Sequence, residues 1–180
     1  RSRLHLNDLR TPAVLIEFER VRRNIERMQA LAQTHGVRLR PHAKTHKSPQ
    51  VARWQVEAGA VGICCAKLAE AEAFVDAGLA AGTGLPDIRL PYPLHPSNAD
   101  RVFALEGRGV HLSFIVDRAD VAQAWSEAAL QAGRRVDVLV KVDVGFHRCG
   151  VDPAQADVVD VIAGDRKSTR LNSSHVALSR

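Results

Sequence analysis

The chain alternates short apolar runs with longer stretches in which apolar residues recur every three or four positions. This alternation is typical of repeated strand and helix units that form a parallel sheet. Each apolar run predicts a strand, and the intervals between the runs predict helices. The predicted strands cover residues 13 to 17, 37 to 41, 61 to 65, 87 to 90, 111 to 116 and 136 to 142.

The predicted helices have recognisable boundaries. The first, over residues 19 to 34, places Val21, Ile25 and Met28 at helical spacing and stops before Gly36. The small residues from 80 to 86 predict a surface loop. The second helix is predicted to begin at Ser48-Pro49, and the third to run from 66 to 77 before Gly78. The fourth begins at Pro96-Ser97-Asn98, and the fifth extends from a cap at Asp117 to Gly133. A sixth begins at Asp152-Pro153.

The end of the chain differs in character from the rest. Residues 165 to 180 are rich in serine and arginine and show no apolar periodicity. They read as the direct translation of a sequencing-library adapter, with a natural polar tail as the alternative. We therefore predict a non-native, adapter-derived tail over 165 to 180 and exclude it from fold reasoning.

Composition and charge exclude several classes of protein. The formal charge is +5, and it falls to +2 without the tail, which holds four basic residues against Asp165. With few aromatic residues and no basic stripe, nucleic-acid binding has no support. No apolar run approaches the roughly 20 residues of a membrane span. Three cysteines without disulfide spacing favour the cytoplasm, and Cys64 and Cys65 are expected to pack as small hydrophobic side chains.

Residues 40 to 47, Arg-Pro-His-Ala-Lys-Thr-His-Lys, carry the strongest chemical signal. They close a short apolar run, so a lysine here would point out of a barrel mouth. A desolvated amine beside other cations becomes nucleophilic and can form a Schiff base with an aldehyde cofactor. Lys44 is the candidate, because alternation along an extended segment places it with His42 and His46 and places Lys47 opposite. On local composition alone, a solvated basic turn is the alternative.

Three segments in order, PHAKTHK at 41 to 47, GAVGICCAKLAEAE at 59 to 72 and KVDVGFHRCGV at 141 to 151, resemble the D-threonine aldolase and D-serine dehydratase family. The resemblance implies a pyridoxal-phosphate enzyme of fold type III, with an α/β barrel of the alanine racemase N-terminal type. Its lysine strand comes first, so the run at 13 to 17 would be a lead-in and five staves would be present.

A complete (β/α)8 barrel takes about 250 residues, and family members add a β-rich domain after it. We therefore expect residues 1 to 164 to be a truncated barrel without the C-terminal β domain. An open parallel sheet exposes an unpaired edge and apolar faces. The 180-residue polypeptide is accordingly predicted to be insoluble or only partly folded.

The resemblance also implies the site residues. The first lysine of the Lys-Thr-His-Lys run carries pyridoxal phosphate, which selects Lys44, and His42 is expected to hydrogen-bond in the site or tune its electrostatics. Arg148 is expected to hold the phenolate oxygen of the cofactor, with a surface pairing to Asp143 or Asp152 as the alternative. The family's divalent metal, zinc or manganese, is implied in the missing C-terminal domain, and no metal ligand is expected in this chain.

The implied activity is that of a lyase acting on D-β-hydroxy amino acids, with aldolase and dehydratase both open. The partner is a small D-amino acid, and the full-length protein is expected to pair as a homodimer. One alternative is a non-catalytic pyridoxal-phosphate homeostasis protein made of the barrel alone. Another is an amino-acid racemase, although alanine racemases carry Lys-Ala-Asn-Ala-Tyr-Gly where this chain has Lys-Thr-His-Lys-Ser-Pro.

Overall fold

The computed structural model describes residues 5–79, 87–154, 171–172 and 176–179, the last two segments by their backbone. The predicted loop at 80 to 86, the body of the predicted sixth helix and the rest of the tail lie outside the described residues. No helix in the described part of the chain is long and apolar enough to cross a membrane.

A parallel sheet organises the fold. Its first four strands follow one another both in sequence and in space, and every pairing in the sheet is parallel. Helices join β1 to β2, β2 to β3 and β3 to β4, so the predicted α/β architecture is confirmed. The strands are β1 Gly62–Cys64, β2 Asp87–Pro93, β3 His111–Val116, β4 Val136–Asp143, β5 Leu171–Asn172 and β6 Val176–Ser179, with β5 and β6 both beside β4.

The five α-helices of the described residues begin and end close to the predicted positions. Ser48 Oγ accepts a hydrogen bond from the backbone nitrogen of Val51, as expected of the residue that caps α2. The predicted cap at Asp117 is wrong, because Arg118 occupies the N-cap of α5. The helices are α1 Phe18–Thr34, α2 Pro49–Glu57, α3 Leu68–Asp76, α4 Ala99–Gly107 and α5 Ala119–Gln131.

One face of the sheet packs against the helices and forms the core. Val138 and Val140 of β4 are buried on this face, together with Phe114 of β3. The ring of Phe114 lies 4.4 Å from that of Trp125 in α5, measured between centroids. Trp125 Nε1 donates a 2.7 Å hydrogen bond to the backbone oxygen of Leu94, which ties α5 to the segment after β2.

The opposite face of the sheet carries polar side chains. Because side chains alternate along a strand, Lys141 lies on this face between the buried positions Val140 and Val142. Arg89 of β2 reaches across it, and its Nε donates to Ser113 Oγ at 3.1 Å. In the predicted barrel, this face would lie inside.

The predicted lead-in strand at 13 to 17 is wrong. The segment has no strand, and Val14, Leu15 and Ile16 are 92%, 64% and 61% exposed. An apolar run forms a strand when a neighbour offers backbone partners, and no described strand lies beside this one.

The segment at 37 to 41 runs beside β1 without forming a regular strand. The backbone nitrogens of Val61 and Cys64 donate to the oxygens of Leu39 and Pro41, at 3.0 and 2.7 Å. Pro41 has no N–H to donate to β1, so the ladder of hydrogen bonds between the segment and β1 is incomplete. The predicted strand is therefore wrong as an element, although the segment occupies the expected place at the edge of the sheet.

Two short strands, β5 and β6, fall within the tail predicted to be non-native. They pair with the two halves of β4, Leu171 with Val136 and Val176 with Val140. An unpaired strand edge accepts any segment that can extend along it. Pairing with β4 therefore does not distinguish a native tail from an adapter-derived one, and the adapter origin stays a prediction.

Candidate active site

Lys44 lies in a short 3-10 turn, Ala43–Thr45, that follows the segment beside β1. The ring nitrogen Nδ1 of His42 accepts a hydrogen bond from the backbone nitrogen of Lys44 at 3.3 Å. Ala43 is fully buried, and its oxygen accepts from the backbone nitrogen of Lys47 at 2.8 Å. The turn fixes the backbone of Lys44 while its side chain is exposed.

The turn corrects two steps of the sequence argument. The segment is not extended here, so alternation does not separate Lys44 from Lys47, and the exposed side chain of Lys44 is not desolvated. The two lysines nevertheless point to different places. Lys47 adopts a left-handed backbone with φ of 47°, and its Nζ lies 3.6 Å from Glu70 Oε1 of α3.

Lys44 faces the ring of Tyr92, near the end of β2, and shares it with two other cations. The Nζ atoms of Lys44 and Lys141 each lie 5.9 Å from the ring centroid, and Cζ of Arg148 lies 4.5 Å from it. Two of the sequence-predicted residues, Lys44 and Arg148, are thus brought to one point. Lys44 lies beside β1 and Arg148 follows β4, so the two residues reach Tyr92 from strands that are not neighbours in the sheet.

Tyr92 and Lys141 belong to the candidate site by position, and sequence reasoning missed both. The sequence did contain a signal for Lys141. It is a charged residue between Val140 and Val142 in a strand, so its side chain lies on the face away from the helices. For Tyr92 the signal was its position between Pro91 and Pro93, two residues that cannot donate to a ladder and so mark where a strand departs from regular pairing.

Arg148 lies on a loop that is organised by Asp143, the last residue of β4. Asp143 Oδ1 accepts hydrogen bonds from the backbone nitrogens of Gly145, Phe146 and His147, at 3.0, 2.9 and 3.1 Å. These N–H groups, that of His147 foremost, hold the pKa of Asp143 below its usual range against the opposing effect of burial. Asp143 is therefore occupied by the loop, and the alternative in which it pairs with Arg148 is not observed.

The same loop returns to β4 through Gly150. The backbone nitrogen of Gly150 donates to Asp117 Oδ2 at 3.1 Å, which explains why Asp117 does not cap α5. Val151 then bonds on both sides, donating to the oxygen of Lys141 at 2.8 Å and accepting from the nitrogen of Asp143 at 2.9 Å. The Arg148 loop is thus closed at both ends.

The two histidines of the lysine segment are held as neutral rings. Burial, then the charge of Lys44, lowers the pKa of His42 and outweighs the opposing charge of Glu70. Burial likewise lowers the pKa of His46, whose Nδ1 accepts from the backbone nitrogen of Ser48 at 3.0 Å. The buried Nε2 atoms of both rings have no hydrogen-bond partner among the described residues.

The adjacent cysteines at the end of β1 are packed thiols. Burial raises the pKa of Cys64, and burial followed by the charge of Glu70 raises the pKa of Cys65 to about 12. Both thiols are therefore protonated at neutral pH and are poor nucleophiles. This agrees with their predicted packing role.

A separate polar cluster lies at the opposite end of the strands. Arg40 donates to the carboxylate and the backbone oxygen of Asp87, where β2 begins. His111, the first residue of β3, lies with Nδ1 3.2 Å from Asp87 Oδ1 and Nε2 3.0 Å from Asp137 Oδ2 of β4. The cluster joins neighbouring strands far from Lys44.

The donor set around Tyr92 suits an anionic aldehyde. Lys44, Lys141 and Arg148 form no ion pair with a carboxylate in the described part of the chain, and Lys44 offers a primary amine. The Nε2 of His42 is buried, and the ring contributes by holding the backbone of Lys44 through Nδ1. Pyridoxal phosphate, an aldehyde with a phenolate and a phosphate, matches these groups in charge and reactivity. Among the described residues, no group of three His, Cys, Asp or Glu side chains is placed to hold a metal ion.

Comparison with known proteins gives a family match. Residues 16–177 match the family described as alanine racemase, N-terminal domain. The match covers all the residues brought together around Tyr92.

Three relatives show how the similarity is distributed. The chain is 40% identical to a D-threonine aldolase from Arthrobacter sp. over 78% of its length and 36% of the relative's. It is 42% identical to a D-threo-3-hydroxyaspartate dehydratase from Delftia sp. (strain HT23) over 79% of its length and 36% of the relative's. The crystal structure of D-threonine aldolase from Filomicrobium marinum superposes with a TM-score of 0.82 at 34% identity, covering 95% of this chain and 44% of that one.

Proposed function

The chain belongs to the family of the alanine racemase N-terminal domain, and we propose that it forms the cofactor-binding part of a pyridoxal-phosphate lyase acting on D-β-hydroxy amino acids. The convergence of Lys44 and Arg148 on Tyr92 carries this proposal. The chain spans 36% of the length of the aldolase and dehydratase it resembles, and both relatives are named for reactions at β-hydroxy amino acids.

Lys44 supplies the amine that would hold the cofactor. The ring of His42 fixes the backbone of Lys44, and the side chain of Lys44 is exposed. The Nζ atom can therefore reach an incoming aldehyde while the backbone stays in place. When bound, pyridoxal phosphate supplies that aldehyde and a conjugated ring that accepts electrons from a bond at the substrate α-carbon.

Arg148 and His42 supply complementary groups. The guanidinium of Arg148 is always charged and lies against Tyr92, so it presents a fixed positive charge to an oxyanion. His42 accepts at Nδ1 from the backbone of Lys44, which places the proton of its neutral ring on Nε2. His42 therefore holds the backbone of Lys44 in place without adding another charge to the three cations.

Borohydride reduction of the full-length protein in the presence of pyridoxal phosphate, followed by peptide mass mapping, tests the cofactor site. Modification is expected on Lys44 and is expected to persist in Lys47→Ala, the matched control, and to disappear in Lys44→Ala. Modification of Lys47, or of no lysine, would refute the assignment.

The choice between cleavage and elimination is open to direct assay. With D-threonine, D-serine and D-threo-3-hydroxyaspartate as substrates, an aldolase releases glycine and an aldehyde, whereas a dehydratase releases ammonia and a 2-oxo acid. The L enantiomers serve as controls. Racemisation without cleavage, or cofactor binding without turnover, would instead favour the racemase or the homeostasis protein.

We further propose that the full-length lyase holds zinc or manganese on residues beyond this chain, works as a homodimer and is cytoplasmic. Free Cys64, Cys65 and Cys149 support a reducing compartment. Chelation with EDTA is expected to abolish lyase turnover of the full-length protein and to leave the cofactor on Lys44, with activity restored by the metal. Full activity after verified metal removal would contradict this.

A further inference from the structure

Tyr92 belongs to none of the three segments that carry the family resemblance, yet three cations meet at its ring. We propose that Tyr92 is a positioning residue that holds Arg148, and with it the lysines Lys44 and Lys141, toward the place where the cofactor binds. This inference rests on the proposed function, because that place is the pyridoxal-phosphate site.

The shape of β2 explains how Tyr92 reaches this position. Leu90 pairs with Phe114, and Pro93 pairs with the very next residue of β3, Ile115, so two residues of β2 lie outside the register. In a regular strand Tyr92 would follow Leu90 onto the helix side of the sheet. Such a bulge re-aims a side chain, and here it turns the ring of Tyr92 to the face that carries Lys141.

The ring contacts Arg148 most closely. A guanidinium 4.5 Å from a ring centroid is well within the range of cation–π attraction, whereas the two ammonium groups at 5.9 Å are at its limit. Three cations at one point repel one another, and the negative face of the ring offsets part of that repulsion. The ring therefore allows the cations to stay together before an anion arrives.

Arg148 depends on this contact more than the lysines do. Its loop is exposed from Val144 to Arg148, and the side chain of Arg148 has no hydrogen bond or ion pair among the described residues. Lys141, in contrast, is fixed by the backbone of β4. Loss of the ring at Tyr92 is accordingly expected to release the guanidinium first.

In the full-length protein, the variants Tyr92→Phe and Tyr92→Leu distinguish the contribution of the aromatic ring to cofactor binding from that of the hydroxyl. Tyr92→Leu is expected to weaken binding of pyridoxal phosphate about tenfold, the size of a moderate cation–π contribution. Tyr92→Phe, which keeps the ring face, is expected to bind within about twofold of the wild type. Equal binding by the wild type and Tyr92→Leu, or an equal loss in both variants, would overturn the proposal.

A spectroscopic titration distinguishes positioning from general packing. A fixed cation near the lysine-linked cofactor disfavours protonation there, so Tyr92→Leu is expected to move the pH midpoint of the bound cofactor's absorption band upward. Arg148→Gln is expected to move it the same way, and the double variant no further, because Tyr92 acts through Arg148. Fully additive shifts, or a lowered melting temperature with an unmoved midpoint, would refute a positioning role.

The outcomes also separate this inference from the proposed function. If wild-type protein fails to bind pyridoxal phosphate at Lys44, both are refuted. If the wild type binds at Lys44 and Tyr92→Leu behaves identically, the cofactor site stands and the role of Tyr92 is refuted.

Discussion

Gly150 determines where the loop that carries Arg148 can lie. Its φ of +118° lies in a region that residues with a side chain rarely adopt. A Cβ atom here would lie 2.7 Å from the backbone nitrogen of Asp143 and 3.0 Å from the carbonyl carbon of Val142, both of them backbone atoms. The loop can therefore fold back onto β4 because this position has no side chain.

We expect Gly150→Ala to destabilise the full-length protein by about 1–3 kcal/mol, the cost of strained backbone at one residue. It should also weaken pyridoxal-phosphate binding, since the loop must move away from β4 and take Arg148 with it. Gly107→Ala is the matched control, because its Cβ meets nothing within 4 Å. Chemical denaturation measures the change, and equal stabilities of the two variants would contradict the expectation.

At the scale of elements, Asp143 makes an ordered loop of the segment after β4. One carboxylate oxygen receives three backbone N–H groups, and His147 Nδ1 lies 3.3 Å from the other. A carboxylate whose pKa is lowered in the folded state stabilises it at pH values above the unfolded-state pKa. That contribution is lost as the pH falls through the lowered folded-state value.

Asp143→Ala is expected to speed hydrogen exchange at Gly145, Phe146 and His147 and to weaken cofactor binding. Asp143→Asn keeps an acceptor oxygen and loses the charge, so its effects should be smaller. In the wild type, the protection of these amides, measured as exchange relative to the intrinsic rate at each pH, should hold at neutral pH and fall only in acid below the usual carboxylate range. Unchanged exchange in Asp143→Ala would show that the loop is ordered by other contacts.

The elements that sequence predicted best are those with local signals. The start of α2 at Ser48-Pro49 and the end of α1 before Gly36 follow from capping and backbone preference, which act within a few residues. Two other predictions were wrong for reasons of their own. The segment at 37 to 41 lies beside β1, but Pro41 has no N–H to complete the ladder. The carboxylate of Asp117 instead accepts from a distant partner, the backbone nitrogen of Gly150.

The same division holds for the candidate site. Lys44 and Arg148 lie in segments that sequence resemblance identified, and the structure places both beside Tyr92. Their meeting place could not be predicted, because it depends on a bulge whose register is set by β3. The 3-10 turn at Lys44 was also missed, because its N-cap is His42, and histidine is not among the residues that usually cap a helix.

At the scale of the whole molecule, Arg40, Asp87, His111 and Asp137 join successive strands at the end opposite the site. Burial alone would raise the pKa of Asp87, but the hydrogen bond and charge of Arg40, followed by those of His111, outweigh it and lower the pKa. This carboxylate should therefore stabilise the fold at pH values above the ordinary aspartate range.

We expect Asp87→Asn to lower the free energy of unfolding of the full-length protein by about 1.5–3 kcal/mol at pH 7, the range for hydrogen bonds to charged groups. The difference from wild type should shrink as the pH falls through the lowered folded-state pKa. Asp120→Asn is the control, since Asp120 forms an exposed ion pair with Arg118 and should change stability little. A difference that stays constant into strong acid would show that the charge of Asp87 is not responsible.

Apolar surface left open to water decides how the 180-residue chain behaves on its own. Val14 is 92% exposed, and Met28, Leu31 and Val37 are each half-exposed or more. Large exposed apolar patches favour association over a unique fold.

We expect the isolated chain to unfold over a broad temperature range and to bind a hydrophobic dye, whereas the full-length protein should melt cooperatively. If the tail is non-native, removing residues 165 to 180 should leave the helical signal and the breadth of the transition unchanged. A sharp melt of the 180-residue chain would contradict partial folding. A loss of ordered structure on removing the tail would show that β5 and β6 support β4, and the prediction of an adapter-derived tail would then be wrong.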